Sequence, residues 1–228
     1  MKNKTTRSII RWLIIIALPL FLATGVVRSL LAWDYPAFEY ERIPPDPYGF
    51  TPEERLDLAH ATLDYLQRSE PAAETIYLLE ELQQPRTNES LYHPGELSHM
   101  FDVKVVADSF LRVFWILTAI LVIGLGLLFS QPATRSEGYR ALAQGGGLTV
   151  SIVLLVGLFI LVAWQWLFTQ FHNLFFASGT WTFSYTDSLI RLFPEQFWLD
   201  FGILWAGLVF VGGLLSLGLG IVLKRRGS

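Results

Sequence analysis

The sequence predicts an all-α membrane protein with four transmembrane helices and a small helical extracytoplasmic cap. Of its 228 residues, 52% are hydrophobic, and the apolar residues gather in four long stretches. A helix needs about 20 apolar residues to cross a hydrocarbon layer ~30 Å thick, and each stretch is long enough. Lysine and arginine cluster at alternate ends of these stretches, as the positive-inside rule expects of a multi-pass chain.

The four stretches and the segments between them divide the chain into seven parts. In order these are 1–32 (cytoplasmic tail and first span), 33–102 (extracytoplasmic cap segment), 103–129 (second span), 130–147 (cytoplasmic connection), 148–171 (third span), 172–198 (aromatic extracytoplasmic segment) and 199–228 (fourth span and basic tail). The first stretch also has the basic start and apolar centre of a signal peptide. Its full length, Arg28 near its end and the lack of a clean small-residue cleavage site favour a retained helix.

Charge predicts the orientation. Three segments are basic and are expected in the cytoplasm: the N-terminus, the 130–147 connection and the C-terminus, with Lys2, Lys4, Arg7, Arg11, Arg135, Arg140, Lys224, Arg225 and Arg226. The segment 33–109, expected outside, has 16 Asp and Glu against 5 Lys and Arg. Such an acidic exterior argues against nucleic acid as a partner. The absence of cysteine excludes disulfides and thiol nucleophiles.

The cap segment begins with a proline-rich connector, in which Pro44, Pro45 and Pro47 forbid a continuous helix. Thr51-Pro52-Glu53-Glu54 predicts a capping box, and the apolar spacing that follows predicts a surface helix to about Gln67. The next short element, 74–82, fits a helix or a strand. The segment 83–95 is predicted to be a loop, and a helical pattern resumes at about Leu97 and leads into the second span.

The segment 172–198 is dense in aromatic residues, which an interfacial belt of a membrane protein partly explains. Asp187, Arg191 and Glu195 recur at four-residue spacing and predict one side of a short interfacial helix. Asp108 and Arg112 have the same spacing near the second span, and a structural ion pair is predicted between them.

Two histidines, His99 and His172, are predicted at the same membrane surface although they lie far apart in sequence. A neutral imidazole exchanges protons near neutral pH, so the pair suggests chemistry on a lipid ester or amide. Glu96 and Asp102 lie three residues on either side of His99, where a carboxylate would orient the imidazole. The simpler interpretation is that His99 only decorates an interfacial helix. His60 and His93 are assigned to the solvated surface.

The same histidines, with Glu96 or Asp102 as a third ligand, would also suit a metal ion. His-x-x-Asp is not a specific ligand motif, and the sequence has no His-Glu-x-x-His motif. We therefore expect neither a bound metal nor another cofactor.

The segments around these histidines resemble the bacterial lipoprotein intramolecular transacylase family, whose members are four-span proteins of similar length. The resemblance covers most of the chain. It is carried by 96–104 (ELSHMFDVK), 171–176 (FHNLFF), 181–183 (WTF), 192–195 (LFPE) with Phe197, 49–53 (GFTPE) and 65–66 (YL).

The resemblance implies a reaction in which the sn-2 acyl chain of a diacylglyceryl lipoprotein moves to the amine of its N-terminal cysteine. It implies that His99 and His172 are catalytic, with Glu96, Asp102, Lys104 and Trp181 in supporting positions. We assign His99 as the base and His172 as the oxyanion stabiliser or leaving-oxygen acid, with the two roles open to exchange.

The expected partners are the lipoprotein substrate and membrane lipid, in the bacterial cytoplasmic membrane, with the active site at the outer leaflet. The oligomeric state is not predictable from the sequence. Two rival functions remain: a non-enzymatic membrane accessory or assembly protein that holds a partner helix or lipid, and a lipid or metal sensor.

Overall fold

The computed structural model describes residues 4–226. Lys2 of the basic N-terminal tail and the last two residues of the basic C-terminal tail lie outside this range. Four helices within it are long and apolar enough to span a membrane: α1 (Lys4–Ala32), α6 (Pro94–Phe129), α7 (Pro132–Val162) and α10 (Glu195–Arg226). The shorter helices are α2 (Tyr35–Tyr40), α3 (Pro52–Gln67), α4 (Ala72–Thr75), α5 (Tyr77–Glu80), α8 (Trp164–Phe175) and α9 (Ser188–Leu192). The predicted all-α class with four candidate spans is confirmed.

The structure places helix ends differently from the prediction around the third span. Helix α7 begins at Pro132, so most of the predicted 130–147 connection is helical. The chain leaves the helix at Ala163 (φ −146°, ψ 40°), within the predicted 148–171 span, and restarts as α8. The glycine run 145–147 lies within the helix, and close packing against α10 requires a glycine at Gly146, where a Cβ would lie 2.5 Å from the backbone nitrogen of Leu217.

The chain divides into two compact units, and the first holds the centres of the four long helices. This membrane-helix unit comprises 4–28, 110–162 and 203–226. Apolar side chains of α1, α6 and α7 form its core, with Ile14 and Leu128 fully buried. Its outward side chains are also apolar, as lipid exposure requires, and Leu161 is 74% exposed.

The second unit, the cap unit, comprises 29–109 and 163–202. Its α3 begins with the predicted capping box: Thr51 Oγ1 accepts from the Glu54 N–H at 3.2 Å, and Glu54 Oε2 accepts from the Thr51 N–H at 2.8 Å. The buried hydroxyl of Tyr65 donates to the carbonyl of Met100 at 3.2 Å. The face of α3 that points away from solvent is thereby held against α6, which carries His99.

The predicted single helix through Asp187, Arg191 and Glu195 is not present, and Arg191 forms a buried ion pair in the cap unit. Helix α9 ends at Leu192, and α10 starts at Glu195, because the intervening Pro194 lacks the N–H that a continuous helix needs. Arg191 lies in α9, one turn from Asp187 at the N-cap, but its side chain is largely buried and does not line an exposed side of the helix. It donates to the fully buried carboxylate of Asp46 at 2.8 Å.

Asp108 also has a partner other than the predicted one. Its carboxylate accepts from Lys104 Nζ at 3.2 Å, and the same ammonium donates to the carbonyl of Arg68 at 2.7 Å. Lys104 is fully buried, and both bonds compensate its charge. The pairing of Asp108 with Arg112 stays a prediction, and Lys104 is a partner of Asp108 that the spacing did not indicate.

Candidate active site

His99 and His172, 73 positions apart in sequence, meet in the cap unit. Their ring centroids are 6.2 Å apart with an interplanar angle of 24°. Phe176 contacts both rings, at 4.9 Å from His99 and 5.5 Å from His172. Phe183 lies 5.5 Å from His99, and Trp181 lies 4.8 Å from His172. The result is a pair of titratable side chains within an aromatic cage.

Local secondary structure places the two imidazoles. His99 is in the second turn of α6, which begins at Pro94, a residue suited to the first position of a helix. His172 is in the last turn of α8, whose end is closed by the bond from the Phe176 N–H to the carbonyl of His172 at 2.8 Å. That closure turns the chain so that Phe176 also faces the two rings.

A backbone hydrogen bond fixes the protonation pattern of His172. Its Nδ1 lies 2.8 Å from the carbonyl oxygen of Phe168. A carbonyl only accepts, so Nδ1 carries the proton, and in the neutral ring Nε2 keeps its lone pair. Burial lowers the pKa of His172 below its usual 6.5, and the bond to Phe168 opposes this effect. His172 is thus held as a neutral imidazole with Nε2 as a base.

His99 is more deeply placed, with 6% of its surface exposed. Its Nδ1 is buried and has no hydrogen-bond partner among residues 4–226. An orphaned N–H is the costlier of the two possibilities at a buried site, so the tautomer with a bare Nδ1 and a protonated Nε2 is favoured. In that form Nε2 is a hydrogen-bond donor.

Glu96 does not orient His99 as its spacing predicted. Its carboxylate is 1% exposed and is occupied by two backbone donors, the N–H of Leu189 at 2.7 Å and the N–H of His93 at 2.8 Å. It therefore ties α9 to the start of α6. Asp102 is half-buried, and no hydrogen bond joins it to His99 in the described part of the chain.

The other two predicted supporting residues occupy different positions. Trp181 packs against His172 with its ring tilted by 36°, and its Nε1 is buried with no partner among the described residues. Lys104 is engaged by Arg68 and Asp108, as described above, and lies 5.9 Å from the ring of Tyr65. Its bonds maintain the scaffold around α6.

Sequence reasoning missed a polar cavity beside the pair. It has a volume of about 510 Å³ and is lined by His93, Gly95, Ser98, Gly179, Thr180, Thr182, Phe183, Ser184 and Asp187. His93, assigned to the solvated surface, accepts the Gly95 N–H at 3.0 Å through Nδ1, and its Nε2 lies 3.5 Å from the Asp187 carboxylate. The His-Pro-Gly-Glu sequence at the start of α6 is the sequence signal that would have identified His93 as an acceptor for a backbone N–H of this helix.

The described residues do not form a set of metal ligands. Across residues 4–226, no group of three or more His, Asp or Glu side chains is arranged to hold a metal ion. Glu96, which was considered as a third ligand, has both oxygens occupied by backbone donors.

Four membrane helices and a caged histidine pair define an integral membrane protein with a candidate acid-base site. A protein-family model described as "Lipoprotein intramolecular transacylase Lit" matches residues 6–198. The chain belongs to the lipoprotein intramolecular transacylase family. This membership makes it a membrane acyltransferase and favours the enzyme over the accessory interpretation.

The chain is also similar to a curated relative over most of its length and to solved structures in its fold. A protein of Aquifex aeolicus described as uncharacterized is 29% identical over 224 residues, which is 96% of both chains. The lipoprotein intramolecular transacylase of Bacillus cereus superposes with a TM-score of 0.80 at 19% identity, over 99% of this chain and 100% of that one. A variant of the same protein with a histidine replaced by arginine gives a TM-score of 0.63 at 18% identity, over 97% and 93%.

Proposed function

We propose that this enzyme transfers the sn-2 acyl chain of a diacylglyceryl lipoprotein to the amine of the lipoprotein's N-terminal cysteine. The observation that carries the proposal is the pair of imidazoles 6.2 Å apart in an aromatic cage. At that separation the edges of both rings can reach the same reacting centre.

The chemistry needs both groups. An α-amine is largely protonated near neutral pH and must first lose that proton to solvent. When the free amine attacks the ester carbonyl its nitrogen becomes cationic, and a base must take a second proton from it. The carbonyl oxygen then becomes an oxyanion, which a hydrogen-bond donor stabilises. When the ester bond breaks, the sn-2 oxygen takes up a proton and leaves as a hydroxyl. The products are an amide and a lyso-form lipid, without net consumption of water or of a second acyl donor.

We assign His172 as the base and His99 as the donor, which exchanges the roles expected from the sequence. The support is the bond from His172 Nδ1 to the Phe168 carbonyl, which leaves Nε2 free to accept the amine proton and stabilises the imidazolium that forms. His99 Nε2–H then faces the developing oxyanion or the leaving oxygen. Phe176 and Phe183 exclude water, which would otherwise hydrolyse the ester.

We further propose that both termini are cytoplasmic and that the histidine pair works at the outer leaflet. The support is the acidic excess of 33–109 against the basic ends of the chain. Lipoprotein substrates would then meet the site with their acyl chains in the membrane and their polypeptide outside it.

The test is to replace His99 and His172 singly by alanine and to analyse one lipoprotein's N-terminus by mass spectrometry. General acid-base catalysis contributes ~10² to 10⁴-fold and an oxyanion donor ~10² to 10³-fold, so lyso-form product should fall below detection. His60→Ala, which removes a partly exposed histidine paired with Asp34, is the matched control and should keep full activity.

Two further observations complete this experiment. In the wild type, the amide-linked chain should be the substrate's own sn-2 chain, with no phospholipid or acyl-CoA added. Near-normal product from either alanine variant would refute the assignment of that histidine.

A further inference from the structure

A second cavity lies in the membrane-helix unit, and the proposed transfer reaction does not use it. It measures about 670 Å³ and is lined by Arg11 of α1, by Arg140, Ala143 and Gln144 of α7, and by Ile221, Lys224 and Arg225 of α10. Four cationic side chains from three helices thus converge on one cavity. Its described lining contains no acidic side chain.

One nearby carboxylate offsets part of this charge. Glu137 pairs with Arg11 at 2.8 Å and with Arg140 at 3.4 Å, so a single negative charge is shared by two guanidinium groups. Arg11 Nε is buried without a partner among the described residues. The cavity therefore retains an excess of positive charge and an unused donor beside it.

The cavity is preformed, because backbone contacts fix the helices that line it. A Cβ on Gly220 would lie 2.5 Å from the backbone nitrogen of Ala143 and 2.6 Å from the carbonyl oxygen of Tyr139, so α10 and α7 touch there without side chains between them. Ser216 Oγ also donates to the carbonyl of Leu142 at 3.1 Å. These contacts fix the spacing between Arg140 and the basic end of α10.

The lining identifies the ligand's chemistry. Clustered guanidinium and ammonium groups bind phosphate oxygens, and basic pockets between membrane helices suit anionic headgroups. Ala143 and Ile221 add an apolar wall, and the adjoining helix surfaces are apolar, with Trp12 54% and Val222 46% exposed. A phosphate joined to acyl chains satisfies both halves of the cavity, whereas a free phosphate satisfies only the basic half.

We propose that this cavity is a binding site for the phosphate headgroup of an anionic phospholipid. The site needs no catalytic residue and does not depend on the proposed transfer reaction. The positive-inside rule requires basic residues on this side of the membrane, but it does not require them to converge on a cavity. Arg7 and Arg135 have the same charge and are also in the basic segments, yet they do not line it.

The test uses the full chain purified in an uncharged detergent, with binding followed by native mass spectrometry and thermal unfolding. The probes are phosphatidylglycerol, phosphatidylcholine with matched acyl chains, and inorganic phosphate. We expect phosphatidylglycerol to bind and raise the melting temperature, with little effect from the other two. Equal binding of phosphatidylcholine, or equal stabilisation by inorganic phosphate, would overturn the lipid assignment.

Two double variants locate the site. Each Lys or Arg near an anionic membrane surface contributes about 1 kcal/mol, or roughly fivefold in affinity, so two should contribute about 25-fold. Arg11→Gln/Arg140→Gln removes the two arginines that pair with Glu137. Lys224→Gln/Arg225→Gln leaves those ion pairs intact, so it still tests the site if the other double variant folds poorly. Arg7→Gln/Arg135→Gln removes the same charge outside the cavity and should bind normally. An equal loss in this control, or normal binding in the Lys224→Gln/Arg225→Gln variant, would refute the proposal.

Discussion

At the scale of single residues, the site combines buried imidazoles with main-chain partners. His172 bonds the carbonyl of Phe168, and Glu96 bonds the N–H groups of Leu189 and His93. Neither carboxylate flanking His99 in sequence is bonded to it in the described structure. The geometry of the histidine pair therefore depends mainly on how α6, α8 and α9 are held in place. It depends less on hydrogen bonds between side chains, which the spacing of the carboxylates around His99 had suggested.

Glu96→Gln should weaken the cap without removing any imidazole. A glutamine has one acceptor oxygen and a donor NH₂, so the N–H of Leu189 or of His93 loses its partner, and at the buried Leu189 N–H the cost is about 1–3 kcal/mol. Thermal unfolding in detergent should show this loss, and transfer should slow because α9 is less firmly placed. Glu89→Gln, at an exposed loop position, is the control. An unchanged melting temperature would contradict the role given to Glu96.

The pH dependence of transfer should reflect the lowered pKa of His172. Its usual pKa is 6.5, and burial shifts it down despite the bond to Phe168. A base must be neutral, so the acid side of the pH profile should show two steps: one from the substrate amine near its usual value of about 7.7–8.0, and a second, from His172, with its midpoint below 6.5. Single-turnover rates in proteoliposomes test this, and a profile with no second step below 6.5 would contradict it. Because the unfolded chain binds this proton more readily, folding stability should also decline as pH falls below 6.5.

The histidine pair was predictable at this scale, and its partners were not. Imidazole is the common side chain that titrates near neutral pH, so His99 and His172 stood out in an apolar sequence. A backbone carbonyl as a partner leaves no mark in the sequence, because every residue has one. The spacing of Glu96 from His99 allowed a contact on one helix face, but the buried N–H of Leu189 and the half-buried N–H of His93 bind its carboxylate instead.

At the scale of elements, short connections do more than link the long helices. The buried bond between Asp46 and Arg191 joins the proline-rich connector to α9, and α9 is in turn bonded to Glu96 at the start of α6. Hydrogen bonds from Arg191 and from the backbone keep the pKa of Asp46 below its usual 3.8, although burial alone would raise it. The connector is thus linked, through two buried carboxylates, to the helix that carries His99.

Arg191→Ala should destabilise the cap unit more than the loss of an exposed ion pair would. It leaves a fully buried Asp46 carboxylate with backbone donors but without its charged partner, and the loss of such a partner typically costs 3–5 kcal/mol. Arg86→Ala is the matched control, because Arg86 pairs with Glu54 at the same 2.8 Å but has a side chain 59% exposed, and such pairs contribute ~0–1 kcal/mol. Urea or thermal unfolding compares the two, and equal effects would contradict the prediction.

Elements with local signals were predicted well, and those fixed by packing were not. Helix α3 begins and ends as its capping box and apolar spacing indicated. Hydropathy did not predict the start of α7 or the break at Ala163. It does not show where a helix continues past the apolar stretch or where a turn interrupts the helix. The glycine run 145–147 suggests a connection in the sequence, although the small size of Gly146 is what lets α7 lie against α10.

At the scale of the whole molecule, charge and hydropathy determined both the class and the expected orientation. The four spans followed from length and composition alone, since a membrane-crossing helix must satisfy its backbone internally and expose apolar side chains. The meeting of His99 and His172 required the orientation argument as well, because no local pattern links residues so far apart. Their distance and aromatic surroundings came only from the three-dimensional structure.

The orientation is testable because the natural chain has no cysteine. A membrane-impermeant thiol reagent should label Glu70→Cys in intact cells, because that residue is exposed in the acidic segment expected outside. It should label Ser136→Cys only after the cells are opened. The cysteine-free parent chain is the control for background labelling. Labelling of Ser136→Cys from outside would reverse the topology and remove the support for an outer-leaflet site.

The main-chain partner of His172 has a consequence for genetics. In many acid-base sites a side chain holds the histidine, so loss-of-function screens recover it as a third essential position. Here every codon at position 168 still encodes a carbonyl oxygen, so no missense change deletes the acceptor itself. A saturation screen of this gene should therefore find the two histidines without a companion residue that fixes the tautomer. Only a rearrangement of the last turns of α8 would abolish that bond.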